Sequence, residues 1–294
     1  MDKAHKQTDE KLAKMEKHLS KIYSRTSDEL VAKADEHLKD FLAEDTKRAK
    51  WVAEGRISRR QYIEWRKKEF LKRRKMVTMF EQSAEQLAKV NQTATAYING
   101  EIPEVYALNI NATNEGIAHS VSGYSFDLVD AETVRLLATD DSSLLPKKDI
   151  DIPKDIRWNT RKMNAEVLQG ILQGETMGEI AKRMSKVVGM NETAAIRNAR
   201  TMVTSAECRG RMEGFRKAEE SGIILKKRWI ATHDGRTRDW HSELNGVEAD
   251  TDKPFVNSVG EIMYPGDPSA HPANVYNCRC TIASRVIGFK KVSK

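Results

Sequence analysis

Two closely spaced cysteines and two histidines are the residues of this sequence best suited to bind a metal ion. Cys278 and Cys280 precede a β-branched stretch, and His241 and His271 lie upstream. Two thiolates and two imidazoles form a tetrahedral zinc site, and a small, turn-rich module gains stability from such an ion. Alternate residues of an extended chain share a face, so Arg279 points away between the two cysteines. Binding of both sulfurs to one ion also needs a bend at Asn277.

The same residues allow two other interpretations. Free cysteine is among the most buried residue types, so Cys278 and Cys280 could be core residues beside a hydrogen-bonded His241. Alternatively, either thiol with His241 and Asp234 could form the nucleophilic set of a hydrolase. No family-specific catalytic signature surrounds the cysteines, so we expect no enzyme activity. Cys208 lies in a helical pattern, where we expect it to be packed.

A charged loop cluster, Asp234, Arg236 and Arg238, follows a predicted strand. Its arginines could hold a phosphate or a partner's carboxylate. The interpretation we favour is structural: Asp234 and Gly235 form a turn, and the arginines bridge loop carbonyls.

A basic stripe marks residues 56–75, whose net charge is +8. At helical spacing its cations fall on two adjacent rows, which indicate contact with double-stranded DNA phosphates, without sequence preference, or with an acidic partner. A solvated helix face is the alternative. The candidate binding residues are Arg59, Arg60, Arg66, Lys67, Arg73 and Arg74.

Composition bounds the class of protein. The 294 residues are 32% charged and 6% aromatic, and they include three cysteines. This composition excludes a disulfide scaffold, favours a reducing compartment, and predicts a helix-rich body with packed cores. No apolar run is long enough to span a membrane, and the charged start predicts no signal peptide.

Charge and turn signals divide the chain into four predicted regions. The net charge is +7 over residues 1–100, −6 over 101–154 and +6 over the rest, and such asymmetry argues for modules. We predict a mainly α protein with a small α+β module at its C-terminal end. The regions are a basic helical hairpin (1–100), an acidic helical segment with a linker (101–154), a helical part (155–222) and a turn-rich α+β module (223–294).

Local signals predict where the helices begin and end. Thr26 with Glu29, Ser58 with Gln61 and Thr176 with Glu179 each have the spacing of a capping box. Gly55 predicts the turn of the hairpin, and Asp130 predicts a helix start. We also expect a turn at Asn99-Gly100, a helix end at Gly189 and a helix start at Asn191. Strands are predicted over 225–232 and 281–287.

Several motifs in the second half resemble one protein family. They are the segment 229–238 (WIATHDGRTR) followed by His241 and 244–246 (LNG), then 264–268 (YPGDP) and 277–281 (NCRCT), with 174–176 (GET), 180–181 (IA) and 199–201 (ART) upstream. In this order and spacing they resemble the phage head-morphogenesis family typified by the F protein of phage Mu. The resemblance covers roughly residues 160–288.

The resemblance implies a minor head protein of a tailed bacteriophage. Such a protein is expected inside the head near the portal vertex, and in the host cytoplasm during assembly. The implied partners are the portal protein, the major capsid or scaffolding protein, and packaged DNA. Some family members carry Cys-x-x-Cys where this chain has Arg238 to His241, so Arg238 replaces one possible ligand. A DNA-binding helical protein without a head role is the remaining alternative, although no known recognition motif is present.

Overall fold

A computed structural model describes residues 2–72 and 74–290, apart from the side chains of residues 34, 35, 37, 38, 40, 42, 70–72, 74–77 and 177. The protein is mainly α, with a small sheet region near its C-terminal end, as the sequence predicts. The helices are α1 (Lys3–Ala53), α2 (Arg59–Lys72), α3 (Arg74–Ser120), α4 (Ala131–Asp140), α5 (Ile152–Gln173), α6 (Met177–Glu220), α7 (Asp239–Ser242) and α8 (Pro272–Val275). The strands are β1 (Ile223–Ile230), β2 (Glu248–Asp250), β3 (Phe255–Asn257), β4 (Gly260–Ile262) and β5 (Thr281–Phe289). No described helix is long and apolar enough to cross a bilayer.

The described residues form two compact units, each discontinuous in sequence. The helical unit contains residues 17–95 and 149–195. The sheet unit contains residues 2–16, 96–148 and 196–290. The long helices α1, α3 and α6, of 51, 47 and 44 residues, each contribute residues to both units.

The helical unit is built on the predicted hairpin. Gly55 at the turn has φ +68°, a conformation that glycine adopts without steric cost. Ser58 and Gln61 then cap α2 reciprocally: the Gln61 Oε1 accepts from the Ser58 amide at 2.9 Å, and the Ser58 Oγ accepts from the Gln61 amide at 3.2 Å. Phe41 of α1 stacks on Trp65 of α2 with 5.6 Å between ring centroids, which fixes the two helices antiparallel near the turn.

Asparagines join the helices of this unit in its interior. The Asn91 amide donates to Asn191 at 2.7 Å, and Asn191 donates to Asn159 at 2.9 Å. Tyr23 donates to the Asn91 carbonyl oxygen at 2.7 Å. These contacts connect α1, α3, α5 and α6. Loss of a partner that leaves one buried amide unpaired would lower the free energy of unfolding by about 1–3 kcal/mol.

The sheet unit contains a three-stranded antiparallel sheet in the order β2-β1-β5, and β3 and β4 form a separate hairpin. The inward residues of β1 alternate along the strand and pack with α6, so Trp229 and Leu225 are buried in the same cluster as Phe215 and Cys208. Cys208 is thus a packed core residue, as predicted. Gly210 of α6 lets the backbone of α3 approach closely, because a Cβ there would lie 2.6 Å from the Tyr106 carbonyl oxygen.

Three predicted helix boundaries are wrong. The Thr26–Glu29 pair lies inside α1, where the Thr26 hydroxyl donates to the Ile22 carbonyl at 2.9 Å instead of capping a new helix. Helix α3 continues through Asn99 and Pro103, and α6 continues through Gly189. Burial explains why α3 continues through Pro103, because Ile102 and Val105 on either side of it are almost fully buried. Tertiary packing here outweighs the local breaking signal.

Candidate metal centre

Two short elements bring the predicted ligands together in the sheet unit. After β1, the loop 231–238 leads into the single turn of α7, which carries His241. On the other side, Cys278 and Cys280 lie immediately before β5. Between them and α8, Asn277 adopts a left-handed conformation with φ +61°, which asparagine tolerates better than most residues. The predicted bend is therefore present.

Cys278, Cys280 and His241 form one tight, buried group. The Nδ1 atom of His241 lies 3.5 Å from the Cys278 sulfur and 3.7 Å from the Cys280 sulfur. Each side chain is at most 2% exposed, and all three donor atoms lie within 4.8 Å of one another. Zinc bonds of about 2.3 Å to sulfur and about 2.0 Å to nitrogen in tetrahedral geometry would separate the two donor atoms by about 3.6 Å. The group therefore has the dimensions of a metal site.

Backbone amides favour negative charge on the two sulfurs. The Cys280 amide lies 3.4 Å from the Cys278 sulfur. A hydrogen bond from the Cys278 thiol lowers the pKa of Cys280 to about 5 against the opposing effect of burial, and His241 and the Thr232 amide act in the same direction. The same hydrogen bond, together with burial, raises the pKa of Cys278 well above its usual value. The pair thus releases one proton readily, and a cation would favour release of the second.

The ring of His241 is held by aromatic packing. It lies edge-on to the buried Trp229, with 5.2 Å between centroids. Its Nδ1 atom faces the sulfurs, and its Nε2 atom has no hydrogen-bond partner among the described residues. Because the lone pair available to a metal is the one directed at the sulfurs, the orientation fits ligation through Nδ1.

His271, the predicted fourth ligand, lies apart from this group. Its side chain is exposed, and its Nδ1 accepts a hydrogen bond from the Ala273 amide at 3.3 Å, which caps α8. Among the described residues, the metal-ligating group contains three side chains and not four. The prediction of His271 as a ligand is therefore wrong, because its imidazole caps the N-terminus of α8 instead.

A small cavity of about 90 Å³ opens on the three ligand side chains. Arg200 lies on α6, and the sequence analysis missed it because it is far from the cysteines in the chain. Its guanidinium pairs with Glu16, with 3.1 Å between Nη2 and Oε2. Strand alternation predicts that Arg279 points away from the two sulfurs, and its guanidinium pairs with Asp234. The charged lining residues are Arg200, Asp234, Arg236, Arg238 and Arg279.

The charged loop cluster mostly has the structural role that the sequence favours. Asp234 accepts from the Arg236 amide at 3.0 Å and pairs with Arg279. Arg238 donates to the Tyr276 carbonyl. The Arg236 side chain is exposed and has no hydrogen bond or ion pair among the described residues. The loop is therefore tied internally, but Arg236 remains available.

The basic stripe is only partly exposed. Arg59, Arg60 and Lys67 are exposed on α2. Arg66 is fully buried instead, with its Nε 3.0 Å from the Asp45 Oδ1 and its Nη2 donating to the Glu175 carbonyl at 2.8 Å. The prediction that Arg66 lies on an exposed stripe is wrong. Helical spacing predicts which residues share one face of a helix, but it does not predict which face packs against other helices.

The side chains of two further members of the stripe are outside the described part of the chain. Arg73 is not described at all, and Arg74 is described only as the first residue of α3, without its side chain.

Comparison with known proteins agrees with the motifs. Residues 161–283 match the family described as "Phage Mu protein F like protein". The minor head protein GP7 of Bacillus phage SPP1 is 28% identical over 116 residues, which are 40% of this chain and 37% of that protein. An NAD(+)–arginine ADP-ribosyltransferase, EFV of Enterococcus faecalis, is 33% identical over 122 residues, which are 42% of this chain and 25% of that protein. No solved structure matches the chain significantly.

The segment that carries the candidate metal site is thus similar to the Mu protein F-like family and to part of a phage minor head protein. The matched residues 161–283 include all three candidate ligand residues. The matches cover 25% and 37% of the relatives, whose names describe different functions. The chain thus shares with these relatives one segment that makes up less than half of each of them.

Proposed function

We propose that the chain is a minor head protein of a tailed bacteriophage. It resides in the head near the portal vertex and acts during assembly, packaging or ejection of DNA. The observation that carries the proposal is the Mu F-like segment, residues 161–283, together with its similarity to an SPP1 minor head protein. The sheet unit supplies a compact docking body, and α2 supplies a basic surface.

The first proposed partner is the portal protein of the same phage. Full-length chain and portal, coexpressed with a tag on the portal only, should copurify, and major capsid and scaffolding proteins serve as comparison baits. Retention on the portal that exceeds retention on both other baits supports the proposal. Retention on neither portal nor capsid protein contradicts it.

The second proposed partner is double-stranded DNA, bound through the exposed cations of α2. Replacing Arg59, Arg60 and Lys67 together by Gln should weaken binding and reduce the slope of log affinity against log salt by about 0.9 for each lost phosphate contact, about 2–3 in all. The matched control replaces Lys14, Lys17 and Lys21, three exposed cations of α1, by Gln. It removes equal charge and should leave the slope unchanged. Equal slopes in both variants and wild type would contradict a contact at α2.

We also propose that the three-residue group holds one zinc ion that stabilises the sheet unit. The ion would join the loop after β1 to the start of β5 through His241, Cys278 and Cys280. Elemental analysis should find about one zinc per chain in wild type and almost none in Cys278→Ser. Cys208→Ser is the control, because Cys208 is buried outside the group and should leave the zinc content unchanged. A fully folded, metal-free wild-type protein would contradict the site.

The alternative of a thiol-dependent hydrolase has less support. A catalytic set needs a carboxylate that orients the imidazole. Asp234, the predicted third member, instead bonds to Arg279, Thr237 and the Arg236 amide. In the described part of the chain, no carboxylate contacts His241, so we assign no catalytic residue.

A further inference from the structure

The three-ligand group leaves a zinc ion with one free coordination position. Tetrahedral zinc takes four ligands, and sites with three protein ligands complete the set with water or an external group. Among the described residues, no fourth His, Cys, Asp or Glu joins Cys278, Cys280 and His241. The cavity that opens on these side chains is the place from which a fourth ligand would enter.

The charge of the cavity determines what can enter it. Two thiolates balance the charge of the ion, and a neutral imidazole adds none. Arg200 is paired with Glu16, and Arg279 is paired with Asp234. Arg238 donates to a neutral carbonyl, and Arg236 has no side-chain partner among the described residues. The cavity thus carries uncompensated positive charge beside the ion, which attracts an anionic ligand.

We propose that this position binds a carboxylate from outside the chain, such as an Asp or Glu side chain of a partner protein. The inference rests on the zinc site of the proposed function. Carboxylate oxygens are ordinary zinc ligands, and a guanidinium matches a carboxylate with two parallel hydrogen bonds. One carboxylate oxygen would replace water on the ion, and Arg236 would hold the other oxygen. The partner's acidic residue then becomes part of the metal site.

Cobalt-substituted full-length protein provides the test, because the visible bands of bound Co²⁺ report its coordination. Acetate is the probe. Its addition should shift the bands saturably at constant metal content. Arg236→Gln should weaken acetate binding about fivefold. Arg228→Gln is the matched control, since Arg228 is exposed on β1 and does not line the cavity.

Each outcome decides a different part of the inference. Protein that binds no cobalt would contradict the metal site of the proposed function itself. Cobalt-loaded protein whose bands ignore acetate would overturn only the open position. An acetate response that is unchanged in Arg236→Gln would overturn the role of the cavity arginine. Inorganic phosphate that binds more tightly than acetate would replace the carboxylate by a phosphate ligand.

Discussion

His5 makes an ion pair in the interior of the sheet unit. Its Nδ1 lies 2.7 Å from the Glu207 Oε1, and its Nε2 lies 3.6 Å from the Asp9 Oδ2. Arg211 also faces this site, paired with Asp2 and Glu207, and the Thr281 hydroxyl donates to Glu207 at 2.6 Å. The network connects the start of α1 to α6 and β5.

The environment of His5 predicts how stability depends on pH. Burial alone would lower the pKa of His5, but the hydrogen bond and the charge of Glu207 raise it above 6.5. A raised pKa means that the stabilising contribution is fully present below pH 6.5 and is lost as the pH rises through the folded-state value. The free energy of unfolding should therefore fall above pH 6.5.

Urea unfolding at a series of pH values tests this linkage. His5→Gln should be less stable at low pH and should flatten the decline above pH 6.5. His119→Gln is a suitable control, because His119 is exposed and bonded only to the Glu115 carbonyl of its own helix. A decline that persists unchanged in His5→Gln would assign the pH dependence to other groups.

At the candidate metal site, three of the four side chains that the sequence proposed as ligands lie close together. Cys278, Cys280 and His241 are brought together, and the bend at Asn277 is present. The fourth ligand was wrong because a histidine before a proline can equally cap a turn, as His271 does. Arg200 was missed because it approaches the site from α6, and such a long-range contact leaves no local signal in a single sequence.

Among the elements, the helical hairpin depends on a buried cation. Arg66 of α2 pairs with Asp45 of α1 and reaches the Glu175 carbonyl after α5. Its guanidinium also lies over the Tyr62 ring, 5.4 Å from the centroid. Removing one partner of a buried ion pair leaves an uncompensated charge, which costs about 3–5 kcal/mol.

Arg66→Ala should therefore destabilise the protein by about 3 kcal/mol, measured as the change in the free energy of unfolding in urea. Lys67→Ala, at the exposed neighbour, should change it by less than about 0.5 kcal/mol. The same pair separates structure from binding. If Arg66→Ala keeps full stability but loses DNA affinity, then Arg66 is a DNA contact and its buried position here is wrong.

Helix boundaries show where sequence signals end and packing takes over. Ser58 and Thr176 start helices as predicted, because their capping partners are free to fold back and the preceding residues form turns. Thr26, Asn99 and Asn191 carry similar signals but lie within helices. Asn191 is 7% exposed and bonded across the helical unit. Asn99 likewise donates to the Lys148 carbonyl, whereas the Thr26 hydroxyl bonds to the preceding turn of its own helix.

For the whole molecule, the mainly α fold with a small sheet module could be predicted from periodicity and turn signals. The four predicted regions along the chain stay a prediction. The two compact units combine distant segments, for example residues 2–16 with 196–290. Such combinations follow from which apolar faces match in three dimensions, and a single sequence does not encode them locally.

The proposed function rests on the segment that matches the Mu F-like family, while residues 1–160 are outside that match. The exposed cations of α2 lie in this other part. We therefore expect docking and DNA contact to be separable: the α2 triple variant should lose DNA affinity and still bind the portal. A variant that loses both would show that one surface serves both partners.

The most direct test of the proposed head-protein role is the protein composition of phage particles assembled in the presence of this chain. Purified proheads and mature virions, analysed by quantitative mass spectrometry, should contain the chain at few copies relative to the major capsid protein. Particles of a mutant lacking the portal should contain much less of it, because the portal is its proposed anchor. Absence of the chain from both proheads and virions would contradict a minor head protein.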